Sequence, residues 1–72
     1  MPLTLMVNGE TRELDPAPAP ATLAAVVAQL ANNPQLVVAE HNGVIAPRSR
    51  WDSILVKDDD TLEIVTIVGG GS

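Results

Sequence analysis

The sequence predicts an α+β fold of two layers, with one helix packed on one face of a mixed sheet of four to five strands. Three observations carry that prediction. Two Asn-Gly pairs, Asn8-Gly9 and Asn42-Gly43, each sit between short strand-like stretches and read as tight hairpin turns. One segment, Leu23 to Ala31, has helical periodicity. The last apolar stretch, Thr61 to Val68, is the longest strand-like run and leads straight into glycines.

The elements follow in order. Leu3 to Val7 reads as a strand and Glu10 to Leu14 as its return. The polar alternation of Glu10, Arg12 and Glu13 suggests an edge strand with a wet face. Asp15 to Ala21 carries Pro16, Pro18 and Pro20, and proline lacks the N–H that a sheet ladder needs. This stretch is expected to be a stiff connection, with a Pro-rich recognition motif as the alternative. Thr22 is placed to cap the helix. Leu23, Val26, Val27 and Leu30 share one helical face, expected to lie on the sheet, and Asn32, Asn33 and Pro34 stop the helix.

Leu36 to His41 is the third strand, and Val44-Ile45 follows the second Asn-Gly turn. Pro47 ends that pairing. Arg48 to Leu55 is expected to be irregular or a short helical turn, anchored by Trp51. Asp58, Asp59 and Asp60 form a polar turn before the final strand. The order β-β-α-β-β-β, with a long apolar final strand beside the first and parallel to it, is that of the ubiquitin-like β-grasp. Residues 1–68 form that domain, and 69–72 are expected to be a flexible glycine-rich tail.

Composition narrows the function. The chain has 72 residues, enough for one domain. A domain of this size buries about 60% of its unfolded surface, which leaves little room for an internal active-site cavity. Cysteine is absent, which excludes disulfides, thiolate metal sites and a cysteine nucleophile. Apolar residues make up 46% of the chain, too many for a disordered segment, and Trp51 is the only aromatic residue. The formal charge is −5, and Arg12, Arg48, Arg50 and Lys57 form no run, which argues against nucleic acid as a partner. A basic partner surface fits this charge, although the acidity could serve solubility alone. No apolar run reaches the ~20 residues of a membrane span, and the start resembles no signal peptide, so a cytoplasmic location is expected.

Side chains offer little chemistry. His41 is the only histidine and has no nucleophile or ligand partner at a recognisable spacing. The three aspartates at 58–60 do not match a calcium-loop spacing, and a solvated turn is the plainer reading. No metal site is expected. The tail Gly69-Gly70-Gly71-Ser72 is the unusual feature. Glycines let a backbone thread a narrow channel. Four extended residues reach ~13 Å beyond the sheet, far enough to present a terminal carboxylate to another protein.

The stretches Val7-Asn8-Gly9-Glu10, Thr22-Leu23, Asn42-Gly43-Val44-Ile45 with Pro47-Arg48 and Trp51, Leu62-Glu63-Ile64-Val65, and the glycine tail together resemble the ThiS family of thiamine-biosynthesis sulfur carriers. The segment from Asn42 to Trp51 is the most specific. The resemblance implies a protein co-substrate, not an enzyme, that binds no cofactor of its own. An adenylating (E1-like) enzyme would use ATP to activate the carboxylate of Gly71, with Gly69 and Gly70 threading its channel. A sulfur-donor system would then displace AMP and leave a thiocarboxylate. Thiazole synthase would take the sulfur. A monomer suits a carrier that visits successive enzymes.

Two departures stand out. Ser72 follows Gly71, so it would be trimmed, be an expression remnant, or mark an inactive copy. Asp59 stands where the family more often has glycine, and a changed turn geometry is expected.

Strand alternation places Leu62 and Ile64 toward the helix, and Glu63, Val65 and Ile67 on the opposite face beside Met6. With Arg48, these are the expected docking residues, while Trp51 is expected to anchor the core. A molybdopterin-synthase small-subunit type of carrier would share fold and tail. A non-covalent β-grasp binding module with an inert tail is the other alternative.

Overall fold

The computed structural model describes residues 2–67. The tail residues Gly69, Gly70 and Gly71, with Val68 and Ser72, lie outside the described residues. Strands β1 (Leu3–Val7) and β2 (Glu10–Leu14) pair antiparallel with Val7 opposite Glu10. The intervening Asn8 and Gly9 have φ of 51° and 82°, the left-handed pair that matches strand twist. Asn42 and Gly43 repeat this at 52° and 86°, between β3 (Val37–His41) and β4 (Val44–Ala46). At both turns an asparagine tolerates a conformation that most side chains avoid.

Helix α1 spans Leu23–Leu30. The Thr22 hydroxyl accepts a bond from the Ala25 N–H at 3.1 Å, as expected of a cap. Leu23, Val26 and Val27 are fully buried, and Leu30 is half-buried against the core. The helix stops one residue before the expected Ala31, which turns extended while its N–H still bonds Val27. The Leu23 and Ala24 N–H groups bond the carbonyls of Ile54 and Trp51, so a distant loop caps the first turn as well.

Strand β5 (Thr61–Thr66) lies in the middle of a five-stranded sheet of order β2-β1-β5-β3-β4. It runs parallel to β1 and antiparallel to β3. The expected four to five strands resolve to five because Val44–Ala46 pairs along β3. Leu36, expected to open β3, sits instead in a single turn of 3₁₀ helix, Pro34–Leu36, which Pro34 begins. The β5 ladder stops at Thr66, short of the expected Val68, but the Ile67 N–H still bonds the Leu36 carbonyl at 2.6 Å.

Helix α1 and one sheet face enclose the core, with Leu5, Leu23, Val26, Val27 and Leu62 at its centre. The segment after Pro47 makes a 3₁₀ turn, Arg48–Arg50, and brings in Trp51. Trp51 is buried, and its Nε1–H donates to the Ala46 carbonyl at 2.9 Å, so it is the anchor that the sequence suggested. No described helix is long and apolar enough to cross a membrane.

Candidate functional site

Strand β5 organises the site because it carries the chain toward the glycines from the centre of the sheet. The two Asn-Gly turns grip it at its first residue, Thr61, and past its middle, at Ile64. Asn42 Oδ1 accepts the Thr61 N–H at 2.8 Å. Asn8 grips it at Ile64, two residues before its end, where Oδ1 accepts the Ile64 N–H at 2.7 Å and Nδ2 donates to the Ile64 carbonyl at 3.0 Å.

The expected alternation holds along the strand. Leu62 is fully buried and Ile64 packs against the core, while Glu63, Val65 and Ile67 are exposed on the face without a helix. Val65 and Ile67 are 60% and 51% exposed, large fractions for apolar side chains in and beside a central strand. Val38 lies opposite Val65, and Glu40 opposite Glu63 and Ile45. Val38, Glu40 and Ile45 therefore join the surface, although the sequence reading did not include them. The in-out alternation of Val37 and Val38 was the available signal, hidden because both residues are valine.

Met6 is on the same face and exposed, but its β5 neighbour is Thr61. It stands two same-face steps, about 13 Å, from Val65 along the strand. The expected docking residues thus fall into two places. Val65 and Ile67 join Val38 near the tail, and Met6 lies toward the far end. A groove of about 290 Å³ borders the tail-proximal part, lined by Val38, Ile45, Pro47, Arg48, Trp51 and Ile67 among others.

Arg48 is at that groove, but its guanidinium is largely occupied. Nη1 donates to the Pro34 carbonyl at 3.0 Å, and Nη2 donates to the carbonyls of Gln35 at 2.7 Å and Val37 at 3.1 Å. The same group lies 4.7 Å over the Trp51 ring. Arg48 therefore ties the Trp51 loop to the entry of β3 while forming one wall of the groove.

The acidic turn does more than meet solvent. Asp58 Oδ1 accepts the Thr4 N–H at 2.9 Å. Asp60 Oδ2 accepts the Lys57 N–H at 2.9 Å and lies 2.7 Å from His41 Nε2. A carboxylate can only accept, so that histidine nitrogen carries the proton. Burial pushes the Asp60 carboxyl upward. The Lys57 N–H, the His41 and Asn42 side chains and the imidazole charge outweigh it and hold the group below its ordinary value of 3.8. Asp59 has φ of 70°, a left-handed conformation that glycine adopts more readily than aspartate. Among the described residues no group of three His, Cys, Asp or Glu side chains could hold a metal ion.

A mixed five-stranded sheet with one helix on one face and its final strand at mid-sheet defines the ubiquitin-like β-grasp class. Within that class the chain belongs to the ThiS family, whose model matches residues 5–71. The match takes in Gly69, Gly70 and Gly71.

The fold superposes with a TM-score of 0.77 on the crystal structure of the thiamine biosynthesis protein ThiS from Geobacter metallireducens. The two are 27% identical, over 96% of this chain and 100% of that one. A thiazole synthase from Paramagnetospirillum magneticum is 37% identical over 70 residues, which is 97% of this chain but only 21% of that protein. The chain therefore spans about a fifth of that relative's length. An uncharacterized protein, ycf40, from Pyropia yezoensis is 32% identical over 69 residues, 96% of this chain and 93% of that one.

Proposed function

We propose that this protein is a sulfur carrier of thiamine biosynthesis, working through the carboxylate of Gly71. The observation that carries the reading is the family match, which continues through the glycines at the end of the central strand. A carboxylate is a poor electrophile. In this reading a partner enzyme joins it to the α-phosphate of ATP, pyrophosphate leaves, and a mixed anhydride with AMP results. A sulfur nucleophile from the donor system then displaces AMP and leaves the thiocarboxylate. Thiazole synthase is the acceptor. A thiazole synthase that contains a segment 37% identical to nearly all of this chain supports that pairing.

The carrier supplies position, not catalysis. Val65, Ile67 and Glu63 form the docking face, with Met6 and Arg48 at its margins. Gly69 and Gly70 thread the active site because no side chain obstructs them. The protein works as a monomer and leaves ATP to its partner.

Intact-mass measurement tests the reading. Chains ending at Gly71 and at Ser72 are incubated with an adenylating enzyme of the family, ATP and a sulfur source. Replacement of one oxygen by sulfur is expected in the chain ending at Gly71. Its absence from both chains, with the enzyme active on its own carrier, would point instead to a non-covalent binding module.

A further inference from the structure

We propose that the Asn8 side chain is a positioning residue for the transfer reaction, holding β5 at Ile64 so that its last residues start the tail from a fixed point beside the docking face. This inference rests on the carrier reading above.

The geometry behind it is a ladder that outlasts its strand. The β1–β5 register ends with Val7 opposite Leu62. The Asn8 N–H donates to the Leu62 carbonyl at 2.9 Å, and the chain then turns away with Asn8 at φ 51°. Past that point the hairpin offers β5 no further strand residue. The Asn8 carboxamide takes that place. It accepts from the N–H of Ile64 at 2.7 Å and donates to its carbonyl at 3.0 Å, as a residue of a neighbouring strand would. Ile64 is thus held by Asn8 on one side while the flanking Val65 lies opposite Val38 on the other. Beyond Thr66 the Ile67 N–H bonds the Leu36 carbonyl in the 3₁₀ turn that precedes β3.

The location makes the grip functional as well as structural. Val65 and Ile67, the docking residues nearest the tail, immediately follow Ile64. If the end of β5 loosens, the docking face and the origin of the tail move relative to each other. A partner could still bind the carrier, but the Gly71 carboxylate would spend less time at the α-phosphate. A loss of this kind falls on kcat more than on KM.

Asn42 provides an internal control. It belongs to the same kind of turn, at φ 52°, and its Oδ1 accepts the Thr61 N–H at 2.8 Å. It grips the same strand at the end away from the tail.

Asn8→Gly and Asn42→Gly both keep a residue that adopts positive φ without strain, so both turns survive and only the side-chain bonds are lost. The two variants and the parent, each ending at Gly71, are assayed for thiocarboxylate formation with the adenylating enzyme. Amide hydrogen exchange is followed at Val65 and Ile67. For Asn8→Gly we expect kcat to fall roughly tenfold or more with KM within about twofold, and faster exchange at Val65 and Ile67. For Asn42→Gly we expect kcat and those two amides to stay near the parent.

Equal effects in the two variants, an unchanged kcat in Asn8→Gly, or a change confined to KM would overturn the proposal. The last result would make Asn8 a direct contact. A parent that gains no sulfur from an enzyme active on its own carrier would overturn the carrier reading and this inference with it.

Discussion

Asp60 is the residue whose ionisation the fold alters most clearly. Its carboxyl is held below 3.8, so the unfolded chain binds that proton more readily than the folded one. The resulting stability is present above 3.8 and is lost as the pH falls through the lower, folded value. In Asp60→Asn the urea midpoint should be lower at neutral pH and fall less steeply as the pH is taken below 3.8. Parallel acid limbs would show that the bonds to Lys57 and His41 do not favour the carboxylate. Asp59 is strained in the opposite sense, by backbone geometry. With φ of 70°, Asp59→Gly should raise stability by about 1 kcal/mol, read as a higher urea midpoint at unchanged slope. A lower midpoint would mean that the aspartate makes a compensating interaction.

Helix α1 illustrates how little an element of eight residues does alone. A helix this short is marginal in water, so its stability comes from packing. Leu23, Val26 and Val27 supply the packing. The Trp51 and Ile54 carbonyls hold its first turn, which makes the Trp51 loop part of the helix's support. Trp51→Phe would keep an aromatic ring but strand the Ala46 carbonyl and thin the contact under Arg48. It should cost about 1–3 kcal/mol by chemical denaturation. In a domain this small that is a large share of the total. A loss below a few tenths of a kcal/mol would show that water replaces the indole N–H without penalty.

The exposed apolar patch is a property of the assembled sheet. Val65, Ile67 and Val38 meet only because β5 lies between β1 and β3. Ile67→Asp should weaken binding to the adenylating enzyme tenfold or more, about 1.4 kcal/mol, with little loss of stability because the side chain is already exposed. Met6→Asp should have a smaller effect, since Met6 stands beside Thr61 and away from the tail. Equal losses measured by titration calorimetry would mean that the partner covers the whole face. With a net charge of −5, association with a basic partner should also slow as salt is added, and a salt-independent on-rate would assign the acidity to solubility.

The elements were legible in the sequence because their signals are local. An Asn-Gly pair supplies its own positive φ, Thr22 caps the helix by accepting from an N–H three residues on, and apolar spacing reports which face is buried. The in-out assignment of Leu62 through Ile67 followed from the same period of two. The ends of elements were less legible, since Ala31 and Leu36 depend on how the chain enters and leaves the 3₁₀ turn at Pro34. What local pattern could not supply was partnership across the chain. Asn8 meets Ile64 over 56 positions, His41 meets Asp60 over 19, and Arg48 reaches the Pro34 carbonyl over 14. The same is true of the exposed apolar patch. Periodicity puts Met6 and Val65 on one face, but only strand order and register decide that Val38 stands beside Val65 and that Met6 does not. A side chain's face follows from its own backbone, whereas its neighbours follow from every strand that the sheet has brought alongside.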